Sequence, residues 1–201
     1  MPYGVVLSRQ FFNCSVCALI FLAPEYRLSP EEEFRRYQNH QNSPDDQNYR
    51  AFLERLTNPL IKNLKPRANG LDYGCGPGPT LSVIMEERGF PTAVYDPCFF
   101  KDEKVLTQTY DFITCSEVAE HFWDPRKEFV LFSKLLKPGA WLAVMTEWVK
   151  PEQSFESWHY PKDPTHVSFY SPQTMEWIAR QYGWKIQMPR ENVALFQKGT
   201  V

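Results

Sequence analysis

The sequence predicts an α/β fold, in which a doubly wound, mostly parallel sheet carries helices on both faces and follows an N-terminal helical extension. Three observations predict this class. Strand-like and helix-like segments alternate after residue 69, a glycine-rich turn follows the first of these strands, and 201 residues suffice for one such domain. We therefore divide the chain into an extension over residues 1–68 and a ligand-binding domain over residues 69–201.

The segments after residue 69 follow the rhythm of strand and crossover helix. Strands are predicted at residues 70–73, 92–95, 111–115, 141–147, 185–188 and 193–197. Helices are predicted between them at residues 80–88, 126–136 and 172–182. Because parallel strands need such crossovers, the alternation predicts helices on both faces of the sheet.

The extension contains two segments with the signals of a helix start. A Ser-Pro pair opens each of the helices predicted at residues 28–40 and 43–64, with proline at the first helical position. The N-caps would be Ser29 and Ser43, and Pro59 should kink or break the second helix. We expect these helices to form a lid or platform beside the ligand.

The composition disfavours several classes of partner. The net charge is −2 and lysine and arginine are not clustered, which disfavours a nucleic-acid binder or an anionic-membrane binder. The longest apolar run, residues 16–23, is too short to span a bilayer. An odd number of cysteines, five, disfavours a disulfide scaffold and predicts a cytoplasmic protein. The aromatic content of 15% suits a pocket for a small molecule.

The stretch "LDYGCGPGPT" predicts a ligand-binding turn after the first strand of the domain. Gly74, Gly76 and Gly78 permit positive φ and a close approach of the ligand. Their spacing differs from G-x-G-x-x-G, and no P-loop lysine follows. Asp72 would repel a pyrophosphate, whereas Asp96 could accept hydrogen bonds from two ribose hydroxyls. This pattern favours a positively charged nucleoside such as S-adenosylmethionine over a nicotinamide dinucleotide.

Four segments in this order resemble the motifs of the class I S-adenosylmethionine-dependent methyltransferases. They are "LDYGCGPG", "VYDP", "YDFITCSEVAEHFWDP" and "LLKPGAWLAVMT". The segment "WHYPKDPTHVSFYSPQTMEWIARQYGW" is similar to small bacterial members that have an N-terminal cysteine knuckle. The resemblance implies a seven-stranded Rossmann-like sheet, S-adenosylmethionine as cofactor and methyl transfer to a small-molecule acceptor. A protein that binds this cofactor without turnover is the alternative.

The resemblance also implies which residues contact the cofactor. They are Asp72, Gly74, Cys75, Gly76, Gly78, Asp96, Pro97, Cys115, Ser116 and Glu117. In these roles Asp72 lies near the ammonium group and Asp96 binds the ribose. The last three residues border the methyl group. The usual polar residue for adenine is missing, and Thr107 and Gln108 are the candidates in its place.

Two histidines of one loop are candidates for removing a proton from the acceptor. His166 and His159 both lie between the helices predicted at residues 126–136 and 172–182. The pKa of an unperturbed histidine is near neutrality, so either side chain could accept a proton. Glu117, beside the methyl group in the resemblance, is the third catalytic candidate. The alternative is that this loop only caps the next helix, with Ser171 as its N-cap.

Two further clusters raise the question of a metal. Glu117, Glu120 and His121 form an E-x-x-E-H pattern that resembles the ubiquinone-pathway O-methyltransferases, where it is associated with a divalent cation. Since many methyltransferases carry the last two residues without metal, we predict no metal and keep this cation as the alternative. Cys14 and Cys17 provide only half of a zinc knuckle, so we expect free thiols.

Overall fold

The computed structural model describes residues 1–39 and 42–200. The elements are, in chain order, β1 (Pro2–Val6), β2 (Arg9–Asn13), β3 (Ile20–Leu22), α1 (Pro30–Tyr37), α2 (Gln47–Ile61), β4 (Gly70–Tyr73), α3 (Thr80–Glu87), β5 (Thr92–Tyr95), β6 (Tyr110–Ser116), α4 (Pro125–Leu135), β7 (Leu136–Met145), β8 (Ser168–Phe169), α5 (Pro172–Tyr182), β9 (Lys185–Arg190) and β10 (Val193–Gln197). No helix of the described residues is long and apolar enough to cross a membrane.

The main sheet confirms the predicted α/β class. Its strand order is β5-β4-β6-β7-β10-β9, and β4, β5, β6 and β7 are parallel. The strand β10 is antiparallel to both β7 and β9. Parallel strands end at the same edge of a sheet, so the loops after β4, β5 and β6 lie together. This edge is where a ligand of such a sheet is expected.

The described part of the main sheet has six strands, one fewer than the resemblance implies. Only residues 96–109 join β5 to β6, and they contain a single 3-10 turn at Glu103–Thr107. Two parallel strands need a crossover of a dozen or more residues, so this segment has no room for a further strand and a second crossover. The strand β5 is consequently an edge of the sheet.

The first 22 residues form strands that the sequence analysis missed. The strands β1, β2 and β3 pair antiparallel, and β8 adds to β3, which gives a second sheet of order β1-β2-β3-β8. Phe11 and Leu22 from this hairpin pack in one buried cluster with Trp158 and Phe169. The N-terminal strands therefore rest on the segment that carries the candidate histidines.

The two helices of the extension form, but only one begins where predicted. The Ser29 side chain accepts a hydrogen bond from Glu32 N, and the Glu32 side chain accepts one from Ser29 N, so α1 starts with a capping box. The prediction of Ser43 as the N-cap of α2 is wrong, since Asp46 caps this helix. The helix also continues past Pro59 to Ile61, so the predicted break does not occur there. His40, at the predicted end of α1, lies outside the described residues.

Helices cover both faces of the main sheet. Leu53, Leu56 and Leu60 of α2 are buried together with Trp141 and Leu195 on one face. The other face packs against α4 and α5. Neighbouring residues of β7 and β10 alternate between the two clusters, as the two-residue period of a strand requires. The sheet is thus fixed from both sides, and its carboxyl edge is left for the site.

Candidate functional site

A cavity of about 1070 Å³ opens at the carboxyl edge of β4, β5 and β6. Small-molecule pockets in proteins measure about 300–1,000 Å³, so this one has room for a cofactor and an acceptor together. Nine of the predicted site residues line it: Asp72, Gly74, Cys75, Gly76, Asp96, Pro97, Ser116, Glu117 and His166. They come from four separate segments. Three lie at the ends of the parallel strands β4, β5 and β6, and the fourth, with His166, is the loop before β8.

Three predicted site residues do not line this cavity. The Cys115 side chain is fully buried in the sheet core, and Gly78 instead faces the Asn42 backbone, where an added Cβ would lie 1.7 Å from its carbonyl oxygen. The His159 side chain is 75% exposed, with Nε2 3.7 Å from Glu147 Oε1. We therefore remove His159 from the catalytic candidates.

The two residues suggested for adenine also lie elsewhere. Thr107 ends a 3-10 turn, where its hydroxyl donates to the Lys104 carbonyl oxygen, and neither Thr107 nor Gln108 lines the cavity. The residues that follow Asp96 do line it, including Cys98 and Phe99. The cavity wall after β5 is therefore formed by the residues directly after this strand, and not by the later residues that the sequence suggested.

The glycine turn has the conformation that glycine permits. Gly74 has φ +77° and Gly76 has φ +66°. An added Cβ at Gly74 would lie 2.5 Å from both γ-carbons of Val118, in the loop after β6. Gly74 is thus required by the packing of two loops, a reason that the sequence alone did not reveal.

Asp96 joins the glycine turn to the loop after β5. Its Oδ2 accepts a hydrogen bond from Gly76 N at 3.0 Å, and its Oδ1 accepts bonds from Cys98 N at 2.7 Å and Phe99 N at 3.1 Å. Carboxylate oxygens have further lone pairs, so these contacts leave capacity for a ligand hydroxyl. The carboxylate is held in one orientation by three backbone donors.

Asp72 carries a buried carboxyl at the end of β4. Only 3% of the residue is exposed, and Oδ1 accepts a hydrogen bond from Thr114 Oγ1 at 2.9 Å. Burial raises the pKa of Asp72 to about 7, and the nearby Asp96 charge adds to this rise. The ionised form of Asp72 needs a positive charge close by.

The loop after β6 brings a second acidic group to the cavity. Glu117 has φ +54°, an uncommon conformation for a residue with a side chain, and such strain is concentrated at functional sites. The Tyr160 hydroxyl donates to Glu120 Oε1 at 2.5 Å and lies 3.4 Å from Glu117 Oε2. Burial, followed by the charges of Glu120 and Glu147, raises the pKa of Glu117 well above its usual value.

Two histidines face each other beside these carboxyls. The ring centroids of His121 and His166 are 4.9 Å apart. His121 Nδ1 lies 3.0 Å from the Thr165 carbonyl oxygen, and His166 Nδ1 lies 2.8 Å from the Tyr160 carbonyl oxygen. Burial lowers the pKa of His166, so its ring is neutral at neutral pH. The sequence placed His121 and His166 in separate clusters, whereas the structure brings them together.

The helix α1 supplies a wall that sequence reasoning did not assign. Glu33, Phe34 and Tyr37 line the cavity, and Tyr37 packs edge-on against His121 with ring centroids 5.4 Å apart. Trp123 Nε1 donates to Glu33 Oε1 at 3.0 Å, which ties α1 to the loop after β6. The four-residue spacing from Glu33 to Tyr37 was the available signal, since it puts both side chains on one helix face.

The cavity lining is strongly acidic. Among the described residues its carboxyl groups are those of Glu33, Asp72, Asp96, Glu117, Glu120, Asp124, Glu128 and Asp163, against two lysines, Lys101 and Lys127. Such a lining repels phosphate groups and attracts cations. The features described so far are those of an α/β protein whose cavity, at the carboxyl edge of the sheet, suits a cationic ligand without phosphate groups.

Comparison with known proteins specifies the family. A family model described as a methyltransferase domain matches residues 45–187. The chain therefore belongs to the methyltransferase domain family. A curated relative, the ubiquinone biosynthesis O-methyltransferase of Photorhabdus laumondii, is 31% identical over 70 residues, which are 35% of this chain and 29% of that protein.

Solved structures agree on the fold. One neighbour is the 1,6-didemethyltoxoflavin-N1-methyltransferase of Burkholderia thailandensis, solved with 1,6-didemethyltoxoflavin and S-adenosylhomocysteine, with TM-score 0.58 and 12% identity over 98% of this chain and 99% of that chain. Another is an S-adenosylmethionine-dependent methyltransferase from Archaeoglobus fulgidus, with TM-score 0.53 and 21% identity over 78% and 74% of the two chains. At these identities the likeness concerns the fold.

Proposed function

We propose that this enzyme transfers a methyl group from S-adenosylmethionine to a small, flat acceptor without phosphate groups. The observation that carries the proposal is one continuous cavity, which joins the glycine turn to the loop after β6. One end offers Asp72 and Asp96 to a cationic nucleoside, and the other offers Glu117 and His166 to an acceptor. We also propose a cytoplasmic enzyme whose partner is neither a nucleic acid nor a membrane.

The residues at the first end fit the cofactor. Bound there, S-adenosylmethionine would supply a methyl group on a positively charged sulfur. Asp72, buried and without a positive partner among the described residues, suits the ammonium group, and Asp96 is held by backbone donors in an orientation that suits the ribose. Cys75 and Pro97 lie beside these two carboxyls, while Ser116 lies at the end of β6 where the methyl group is expected.

The proposed acceptor follows from the wall that faces this end. Phe34, Phe99 and Trp123 provide flat apolar surfaces, and the surrounding carboxyls disfavour a phosphorylated compound. The structural neighbour from Burkholderia thailandensis holds 1,6-didemethyltoxoflavin, a flat heterocycle. A flat phenol or heterocycle of similar size is therefore the first class of acceptor to test.

The acceptor must also lose a proton if it reacts through a hydroxyl or amine. His166 Nδ1 is committed to the Tyr160 carbonyl oxygen, so the neutral ring carries its free lone pair on Nε2. This nitrogen belongs to a residue of the cavity wall and is the candidate proton acceptor. Burial and the charges of Glu120 and Glu147 raise the pKa of Glu117, which favours the protonated carboxyl, a form that can donate a hydrogen bond to the acceptor.

The proposal is tested by binding and by product formation. We expect calorimetry to show one S-adenosylhomocysteine bound per chain, and a panel of phenols and heterocycles to include one that releases S-adenosylhomocysteine from S-adenosylmethionine. Binding without product for every compound would favour a non-catalytic binding protein. Binding of a nicotinamide dinucleotide instead of S-adenosylhomocysteine would contradict the proposal.

Asp96→Ala should weaken S-adenosylmethionine binding by about 1–3 kcal/mol, because one or two hydrogen bonds to the ribose are lost. Calorimetry measures the change directly. Since Asp96 also holds three backbone N–H groups, the unfolding free energy must be measured in parallel. Asp45→Ala, at an exposed position on the chain, is the matched control. An unchanged affinity in Asp96→Ala would remove this residue from the ribose site.

A further inference from the structure

Three side chains of the cavity wall direct possible metal ligands to one point. One ligand atom from each of Glu120, His121 and His166 lies within 4.8 Å of the other two. The first two residues follow β6, and His166 comes from the loop before β8. The group differs from the set that the sequence suggested, because His166 replaces Glu117.

The hydrogen bonds of the two histidines fix which nitrogen is available. A carbonyl oxygen only accepts hydrogen bonds, so His121 Nδ1 must donate to Thr165 O and His166 Nδ1 must donate to Tyr160 O. In the neutral rings Nε2 is then unprotonated. Metal-binding histidines are oriented in this way by a partner on the other ring nitrogen.

The Glu120 carboxyl has one oxygen satisfied and one not. Its Oε1 accepts the Tyr160 hydroxyl, whereas its Oε2 is buried and has no hydrogen-bond partner among the described residues. The residue is 1% exposed. A buried carboxylate oxygen without a donor is costly, and buried charges are normally paired or bound to a metal. Tyr160 therefore orients two members of the group, Glu120 by its hydroxyl and His166 by its carbonyl.

We propose that Glu120, His121 and His166 bind a divalent transition-metal ion. Two imidazole nitrogens and one carboxylate oxygen are a donor set for zinc, iron or cobalt, whereas magnesium and calcium take oxygen ligands. In a tetrahedral site with bonds of about 2.1 Å the ligand atoms are about 3.4 Å apart. The ligand atoms now lie within 4.8 Å of one another, so binding would draw them together by up to about 1.4 Å.

The ion has a chemical role that rests on the proposed function. All three ligands line the cavity, so an ion held by them would lie at the wall of the space proposed for the acceptor. A bound hydroxyl would lose its proton to solvent more readily, because the ion stabilises the oxygen anion that forms. With the ion bound, His166 Nε2 would be a ligand, and the ion would replace the direct proton transfer to His166 proposed above for the metal-free enzyme.

The test is a cobalt titration of the full chain after removal of metal with a chelator. Cys14→Ser and Cys17→Ser are introduced first, so that thiolates outside the cavity do not bind the ion. We expect one cobalt ion per chain, with the visible absorption of a low-coordinate site, and displacement by zinc. His166→Ala and Glu120→Gln should each weaken binding by at least about 100-fold. His159→Ala, an exposed histidine outside the cavity, is the matched control and should bind normally.

Two outcomes would overturn the proposal. One is an absence of cobalt or zinc binding tighter than about 10 μM in the chain that retains all three ligands, a result that does not depend on how the variants fold. The other is an unchanged affinity in His166→Ala and in Glu120→Gln. Calorimetry with S-adenosylhomocysteine on the same metal-free protein separates the two proposals, since cofactor binding without metal binding contradicts only this one.

Discussion

The buried carboxyl of Asp72 is suited to bind a positively charged ligand, but it lowers the stability of the free protein. Its carboxyl lies at the end of β4, almost without exposure, and hydrogen bonds from the Thr114 hydroxyl and the Ser82 backbone stabilise its ionised form. Burial raises its pKa to about 7, so near neutral pH the unliganded protein contains an ionised carboxylate that is poorly compensated. A cofactor ammonium would supply the missing charge. The buried charge that would strengthen cofactor binding therefore lowers the stability of the free protein.

Asp72→Asn should make the free protein more stable at alkaline pH. The folded pKa lies above the unfolded value of about 3.9, so the native state binds more protons between these values and unfolding becomes easier as pH rises towards 7. The asparagine side chain of the variant does not titrate, so the variant does not lose this stability as the pH rises. Between about pH 5 and about pH 8 its advantage over the natural chain should grow by about 3 kcal/mol, measured by urea unfolding.

The same variant should bind S-adenosylmethionine less tightly, although its fold is more stable. Asp45→Asn makes the same charge change at an exposed position and should alter neither property. If the difference in unfolding free energy between Asp72→Asn and the natural chain stayed constant with pH, the carboxyl would not be titrating as burial requires.

At the scale of elements, the N-terminal hairpin holds the loop that carries His166. Arg9 of β2 donates from Nη2 to the Pro161 carbonyl oxygen at 2.5 Å and from Nη1 to the Asp163 carbonyl oxygen at 3.3 Å. Asp163 Oδ1 in turn accepts the backbone N–H and the hydroxyl of Thr165. The loop is therefore shaped by a residue more than 150 positions away in the chain.

Arg9→Gln should impair the acceptor side of the site and spare the cofactor side. The shorter neutral side chain removes two charge-assisted hydrogen bonds, each worth about 1.5–3 kcal/mol at most, and frees the loop. We expect turnover to fall and the affinity for S-adenosylhomocysteine to remain. Arg190→Gln, on the exposed end of β9, is the control. Equal loss of cofactor affinity and turnover would show that Arg9 supports the whole fold and not this loop.

The parts that were predictable from sequence are those that depend on local signals. The strand that ends at Asp72, the glycine turn and the N-cap at Ser29 follow from patterns within a few residues. Ser43 carried the same signal as Ser29, but Asp46 lies three residues further on and competes for the same role. Local patterns cannot rank two adequate caps, because the packing of the helix decides between them.

The contact between His121 and His166 was not predictable in this way. It depends on β8 pairing with β3, a strand of three residues that no periodic pattern revealed. The described residues form six strands in the main sheet, and the short segment after Asp96 was the sequence signal against the seventh strand that the resemblance implied. The proposed acceptor end of the site therefore depends on strands that pair across a long stretch of sequence. The proposed cofactor end depends on turns that local sequence patterns predict.

For the whole molecule, the residues before position 69 are integrated into the structure on two sides. The helix α2 buries Leu53, Leu56 and Leu60 against the main sheet, and Phe11 of β2 is fully buried beside Phe169. The N-terminal segment thus contacts both the sheet and the histidine loop. Because residues on both sides of the division proposed at residue 69 share buried clusters, we expect them to fold as one unit.

A fragment of residues 69–201 should not fold by itself. Burying three leucines contributes about 5–9 kcal/mol, at roughly 1.5–3 kcal/mol each, which is comparable to the total stability of about 5–15 kcal/mol of a typical domain. Without α2 the apolar face around Trp141 and Leu195 is exposed. We expect the fragment to lack a cooperative unfolding transition by circular dichroism, while a chain that begins at residue 24 retains α2 and unfolds cooperatively at lower denaturant. A cooperative transition in the fragment, at the midpoint of the full chain, would mean that α2 only covers a sheet that is stable without it.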